Sequence, residues 1–128
     1  MKVFTLNREQ TLAAPRDQLF EFFSDANNLT EITPTFPDFK IVDAPEKITA
    51  GSEIHYRLGL HGIPFRWTTV ITEWNPPHSF VDCQKKGPYR LWEHTHHFEE
   101  RGDHTHVIDR VRYAVLCSPI VEPVFVRK

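Results

Sequence analysis

Two histidines and an aspartate carry the strongest chemical signal in this sequence. In the run Gly87-Pro88-Tyr89-Arg90-Leu91-Trp92-Glu93-His94-Thr95-His96-His97-Phe98, alternation with period two puts Trp92, His94, His96 and Phe98 on one strand face. Leu91, Glu93, Thr95, His97 and Glu99 take the other. A hairpin closed by Glu100-Arg101-Gly102-Asp103, with Arg101-Gly102 at its tip, pairs residues whose numbers sum to 203. That register sets His94 across from Asp109, His96 across from Val107 and Trp92 across from Val111. With Trp92, Phe98, Val107, Val111, Tyr113 and Val115 on it, this face is the apolar one.

An imidazole facing a carboxylate within an aromatic wall is either a satisfied buried pair or the polar end of a ligand cavity. The carboxylate fixes the tautomer of the ring and favours its charged form, which is what acid/base chemistry requires. His96, together with Asp82 and Gln84 on the preceding strand, joins the candidate set, and Tyr56, Tyr89 and Tyr113 offer hydroxyl donors. A metal is a second use for the same residues, with Asp109 as third ligand to His94 and His96, whose Cα atoms stand about 6–7 Å apart on a strand. On the opposite face the register sets His97 across from His106 and Glu99 across from His104. Neither spacing is a metal signature, so the expectation is no metal and no cofactor. There is no GxSxG, Walker loop or glycine-rich strand-to-helix turn, and Cys83 alternates away from Asp82 and Gln84.

These groups need a scaffold of strands. Val3 to Leu12 reads as a first strand, followed by a helix opening at Pro15 with Asp17 in its first turn and Leu19, Phe20, Phe22 and Phe23 as its apolar face. Ser24 or Asp25 caps a second short helix containing Ala26, Leu29 and Ile32, stopped by Pro34. Six strands follow, at Phe39–Val42, Ser52–Leu60, Pro64–Trp74, Ser79–Gln84, Arg90–Phe98 and Thr105–Val115. The short turns between them imply an antiparallel meander. The pattern is β-α-α-β6, an α+β chain with one curved sheet around two helices.

At 128 residues the chain is long enough for one domain, taken as 1–128, with a real core. A formal net charge of −2 with scattered Lys and Arg gives no reason to expect nucleic acid. No apolar run is long enough for a membrane helix, and polar residues from Asn7 to Gln10 argue against a secretory leader. Cys83 and Cys117, without CxxC spacing, point to reduced thiols, so a cytoplasmic location is expected. The aromatic content, 12%, suits both a core on a curved sheet and the lining of a site for flat apolar ligands.

Several motifs in order resemble a known family. They are Asp25-Ala26-Asn27-Asn28-Leu29-Thr30-Glu31-Ile32-Thr33-Pro34, Gly51-Ser52-Glu53-Ile54-His55-Tyr56-Arg57-Leu58, Trp67 through Pro77, Phe80-Val81-Asp82-Cys83-Gln84 and Gly87 through Phe98. Over roughly Phe4 to Tyr113 the chain resembles a bacterial ligand-binding member of the SRPBCC superfamily, the START and polyketide cyclase-like proteins with the helix-grip fold. The resemblance implies a hydrophobic cavity between sheet and helices. It also implies a long C-terminal helix as lid, but only thirteen residues follow Val115, and they include Pro119 and Pro123. A shortened C-terminal helix is therefore expected, and a homodimer is one way to cover the aromatic face. The expected function is binding of a small hydrophobic or aromatic molecule by Tyr56, Trp67, Trp92, Phe98 and Tyr113, with Asp82, Gln84, His94, His96 and Asp109 as polar lining. The alternatives are a cyclase or dehydratase using His94 and Asp109 as acid and base, and a non-enzymatic interaction protein.

Overall fold

A computed structural model describes residues 2–29, 34–35, 38–60, 62–115 and 124–125. Its elements are β1 (Phe4–Leu12), α1 (Arg16–Phe22), α2 (Ala26–Leu29), β2 (Pro34–Thr35), β3 (Lys40–Asp43), β4 (Glu53–Leu60), β5 (Ile63–Asn75), β6 (Ser79–Lys86), β7 (Tyr89–Arg101), β8 (His104–Val115) and β9 (Val124–Phe125). Seven strands form one antiparallel sheet in the order β1-β8-β7-β6-β5-β4-β3. From β3 to β8 each strand pairs with its predecessor, as short turns dictate, and β1 closes the far edge against β8. The register slips between Ile41 and Asp43, at two places in β5–β6 and near Tyr89. Such bulges bend and twist the strands they interrupt, which lets the sheet curve around the helices.

The β-α-α-β6 order read from the sequence holds, with local differences. Pro15 stands at the N-cap of α1 in an extended conformation (φ −63°, ψ 147°) and not inside the first turn. Its own N–H is missing, so the loss falls where the helix needs no donor. Asp25 is the residue that caps α2, accepting a 2.9 Å hydrogen bond from the Asn27 N–H. Within α1 the apolar face is narrower than expected. Phe20 and Phe23 are buried, whereas Phe22 is 47% exposed, as the i, i+3 spacing of one inward stripe requires.

The core lies between α1 and the inner face of the sheet. Phe20 sits against Trp74 (ring centroids 4.8 Å apart), Phe98 (5.4 Å) and Phe80 (5.8 Å), and Phe23 closes on Phe98 (6.2 Å). Each fully buried aromatic of this kind contributes about 2–3 kcal/mol.

Val124–Phe125, expected within a shortened C-terminal helix, instead form a strand pairing antiparallel with Pro34–Thr35. The rest of that expected helix, together with Ile32 and Cys117, lies outside the described residues. Among the described residues no helix is long and apolar enough to cross a membrane.

Candidate functional site

The β7–β8 hairpin departs from the expected register by one step. Arg101 faces His104 and the loop is Gly102-Asp103, so opposed residues run as His96↔Asp109, His94↔Val111 and Trp92↔Tyr113. The cause is Gly102, whose φ is +67°. Two-residue loops matched to the twist of a hairpin can carry glycine at their first position, which moves the tip from Arg101-Gly102 to Gly102-Asp103. Because the opposed numbers shift by two, every side chain keeps its expected face and only the partners change.

Along β7 the inward row is Trp92, His94, His96 and Phe98, all buried, with both histidines fully so. The strands on either side each supply a carboxylate. β6 sets Asp82 across from His94, and β8 sets Asp109 across from His96. The hydrogen bonds then cross over. His96 Nε2 lies 2.6 Å from Asp82 Oδ2, and His94 Nε2 lies 3.0 Å from Asp109 Oδ1. The other ring nitrogens approach the carboxylates without hydrogen-bond geometry, His96 Nδ1 at 3.2 Å from Asp109 Oδ1 and His94 Nδ1 at 3.9 Å from Asp82 Oδ2. The two imidazoles stack at 3.7 Å, and Phe80 stacks on the outer side of His96 at 4.1 Å. The result is a tetrad of two rings and two carboxylates in an aromatic core, in which neither His96 Nδ1 nor Asp109 Oδ2 makes a hydrogen bond among the described residues.

Burial and hydrogen bonding pull the two rings apart electrically. Burial disfavours the charged form of His96, but the carboxylates of Asp109 and Asp82 beside it outweigh that and raise its pKa to about 9. For His94, burial and the neighbouring His96 charge win over the Asp109 bond, and the pKa falls below its ordinary value. Burial alone would raise Asp109, yet His94 and His96 beside it hold the carboxyl at about 2. At neutral pH, His96 is therefore an imidazolium and His94 a neutral ring. With its Nε2–H donated to Asp109, His94 carries its lone pair on Nδ1. A proton donor and a proton acceptor thus stack face to face.

Asp82, His94 and His96 each bring one ligand atom to within 4.8 Å of the others, so this trio replaces the expected His94–His96–Asp109 set as the inner metal candidate. The rings are inclined by only 26°, so their lone pairs run side by side and do not converge. A metal would also have to displace the 2.6 Å bond between His96 and Asp82. On the outer face His97 faces Ile108 and Glu99 faces His106, which breaks up the quartet that the expected register had assembled.

The other candidates divide between the two ends of the inner face. Trp67, Trp92 and Tyr113 gather at one end with Tyr89: Trp67 meets Trp92 edge-on at 5.1 Å, and Tyr89 lies 4.9 Å from Trp92 and 6.0 Å from Tyr113. Phe98 belongs to the other end, under Phe20 and Phe23. Tyr56 is buried against Phe39, its hydroxyl pKa pushed up by burial and then by the Asp82 charge. Gln84 uses both ends of its amide on the Tyr89 backbone, donating to the carbonyl (2.6 Å) and accepting from the N–H (3.0 Å), so it braces the β6–β7 hairpin. Sequence reading passed over two partners, Phe80 against His96 and Thr69, which accepts the Trp67 indole N–H at 3.0 Å. Both were within reach of simple alternation, two residues from Asp82 and Trp67 respectively.

Comparison with known proteins agrees with this architecture. The family model described as polyketide cyclase / dehydrase and lipid transport matches residues 12–127. No curated protein matches the sequence. Among solved structures, the Zhui aromatase/cyclase of a Streptomyces species is similar with a TM-score of 0.69 at 15% identity, covering 92% of this chain and 72% of that one. The major latex-like protein of Panax ginseng gives 0.66 at 15% identity over 94% and 85%. Norcoclaurine synthase of Thalictrum flavum, solved with dopamine and hydroxybenzaldehyde, gives 0.66 at 14% over 89% and 70%. At these identities the likeness is one of fold, a curved antiparallel sheet gripping helices.

Proposed function

This chain belongs to the polyketide cyclase / dehydrase and lipid transport family, within the SRPBCC superfamily, and from that premise we propose that it binds a small hydrophobic or aromatic molecule between the sheet and the helices. Trp67, Trp92, Tyr56, Tyr113 and Phe98 supply apolar surface in this reading, and the tetrad of Asp82, His94, His96 and Asp109 anchors a polar atom of the ligand. The observation that carries it is the tetrad itself. Removing ionised groups from water costs several kcal/mol each, and apolar side chains of similar volume commonly give an equally stable core. Four ionisable groups at the centre of an aromatic wall are therefore better explained by a ligand that meets them than by packing. Isothermal titration with 2-naphthol, a flat aromatic with one hydroxyl, tests the reading. Saturable binding that Trp92→Ala weakens at least tenfold supports it, and heats of dilution alone with the native protein would refute it.

A second reading rests on the opposite displacement of the two imidazoles. A neutral base stacked on an imidazolium acid is the arrangement that proton transfer at an enolisable carbon needs, as in a cyclase or dehydratase. Deuterium exchange at the acidic carbon of benzoylacetone, followed by NMR, should be accelerated by the protein and lost in His94→Gln and Asp109→Asn. Unchanged exchange in both variants would remove the catalytic role.

In both readings 1–128 acts as one ligand-binding unit. A homodimer that covers apolar surface, including the exposed Phe4 and Phe22, completes the proposal. Sedimentation equilibrium reporting 15.0 kDa at every micromolar concentration would rule that dimer out.

A further inference from the structure

The outer face of the sheet carries a second feature, at the β3–β4–β5 edge. Lys40 pairs with Arg57 and Arg57 with Arg66, so three cations stand directly opposite one another on adjacent strands. The next row on the same face runs Asp43, His55, Thr68 and Lys86. Like charges placed opposite each other destabilise a sheet. Elsewhere carboxylates answer such charge: Arg16 reaches Glu100 (3.3 Å), Lys47 reaches Glu21 (3.6 Å), Lys85 reaches Glu53 (2.6 Å) and Arg112 reaches Glu93 (3.2 Å). Among the described residues, no carboxylate lies within salt-bridge distance of Lys40, Arg57, Arg66 or Lys86. The nearby Glu53 is bonded to Lys85 at 2.6 Å, and its charge is also felt by Lys86, which leaves Lys40, Arg57 and Arg66 as the row without a carboxylate partner.

The row flanks a cleft of about 460 Å³, lined by Arg57, Arg66, Lys86 and Asp43 and bordered also by Tyr56 and Trp67. His55 Nδ1 and Thr68 Oγ1 lie 2.9 Å apart, which holds the imidazole and hydroxyl in place between the cations. A neighbouring cleft of about 500 Å³ shares Arg57 and adds Lys40 and Asp38. Arg57, Arg66 and Lys86 give the first cleft three cations against one carboxylate, Asp43. A phosphate monoester carries about −1.5 to −2 at neutral pH and presents three acceptor oxygens. It matches that excess better than a carboxylate does, and guanidinium forks bind its oxygens in pairs.

We propose that this cleft is a binding site for a phosphate monoester group, presented by the exposed Arg57 and Arg66, which alternate with the buried Tyr56, Leu58 and Trp67. The group could belong to a soluble phosphorylated compound or to a lipid headgroup. The test uses phenyl phosphate in isothermal titration, and co-sedimentation with phosphatidylcholine vesicles containing or lacking phosphatidic acid. Arg57→Gln and Arg66→Gln, both at exposed positions, should each weaken binding about tenfold or more. Arg112→Gln, a cation removed from an existing ion pair, should leave it unchanged. Saturable titration with phenyl phosphate supports the site and assigns it to a soluble ligand. Pelleting only with phosphatidic acid vesicles supports it and assigns it to a headgroup. Two results overturn the proposal: no binding of either probe, or equal weakening by Arg112→Gln, which would mark a response to net charge alone.

Discussion

Five histidines lie in the β7–β8 hairpin, and the sheet sorts them into two populations. His97, His104 and His106 face outward and meet carboxylates at the surface: Glu99 at 3.8 Å, Asp103 at 2.6 Å and Glu9 at 3.0 Å. His94 and His96 face inward and meet Asp109 and Asp82 at 3.0 and 2.6 Å. The distances overlap, yet the consequences differ. Water screens the outer pairs, so they contribute little to stability. The inner groups have lost water, so burial and their partners together decide which ring carries a proton. Distance between partners says little about function until the face of the sheet is known.

The largest effect should come from leaving an inner charge unpaired. Asp109→Ala removes the carboxylate that both rings approach, and urea denaturation should show a loss of about 3–5 kcal/mol. A loss below about 1 kcal/mol would place the two faces on the same footing and end the contrast. Phe98→Ala should lose a similar amount, about 3–5 kcal/mol, through cavity formation under α1. Unlike Asp109→Ala, it should leave the pH dependence of stability intact.

That pH dependence is the next test. His96 has a folded pKa raised from 6.5 to about 9, so its contribution is full below 6.5 and disappears as pH rises through 9. At about 1.4 kcal/mol per unit, the alkaline loss is about 3 kcal/mol. Asp109, lowered from 3.8 to about 2, contributes above 3.8 and loses that contribution as pH falls towards 2. His94, lowered from 6.5, resists protonation in the fold, so acidification below 6.5 also destabilises. Stability measured by thermal unfolding should therefore peak near neutrality and fall on both sides. A flat profile across this range would contradict the assigned protonation states.

Smaller effects sharpen the comparison. At Gly87 an added Cβ would run into the Gln84 amide, so Gly87→Ala should cost about 1–3 kcal/mol by loosening the hairpin that carries the inner row. His97→Ala and His104→Ala should stay within about 0.5 kcal/mol of the native protein. A large loss from either would mean that the outer face bears structural weight.

The sequence made the sidedness legible and left the partners open. Period-two alternation put Trp92, His94, His96 and Phe98 on one face because strand geometry leaves no other choice. Pairing depended on where one glycine sat in a two-residue loop, and Gly102 at the first position shifted His96 onto Asp109. Asp82 was legible as a neighbour, but its bond to His96 was not, because Cα register sets it opposite His94 and only side-chain geometry sends it diagonally. Alternation places Gln84 on the cavity face but cannot report that the Tyr89 backbone occupies both of its amide atoms. The cationic outer row is not legible in the sequence for a related reason. Lys40, Arg57 and Arg66 are far apart in sequence, and strand pairing alone brings them into line.

The central claim is that the inner tetrad meets a ligand, and the imidazole nitrogens report on it most directly. The side-chain ¹⁵N resonances of all the histidines should be recorded with and without saturating 2-naphthol. The account predicts that within the hairpin His94 and His96 change markedly, while His97, His104 and His106 hold their positions. Binding that moves only the outer histidines, or none of the five, would contradict it.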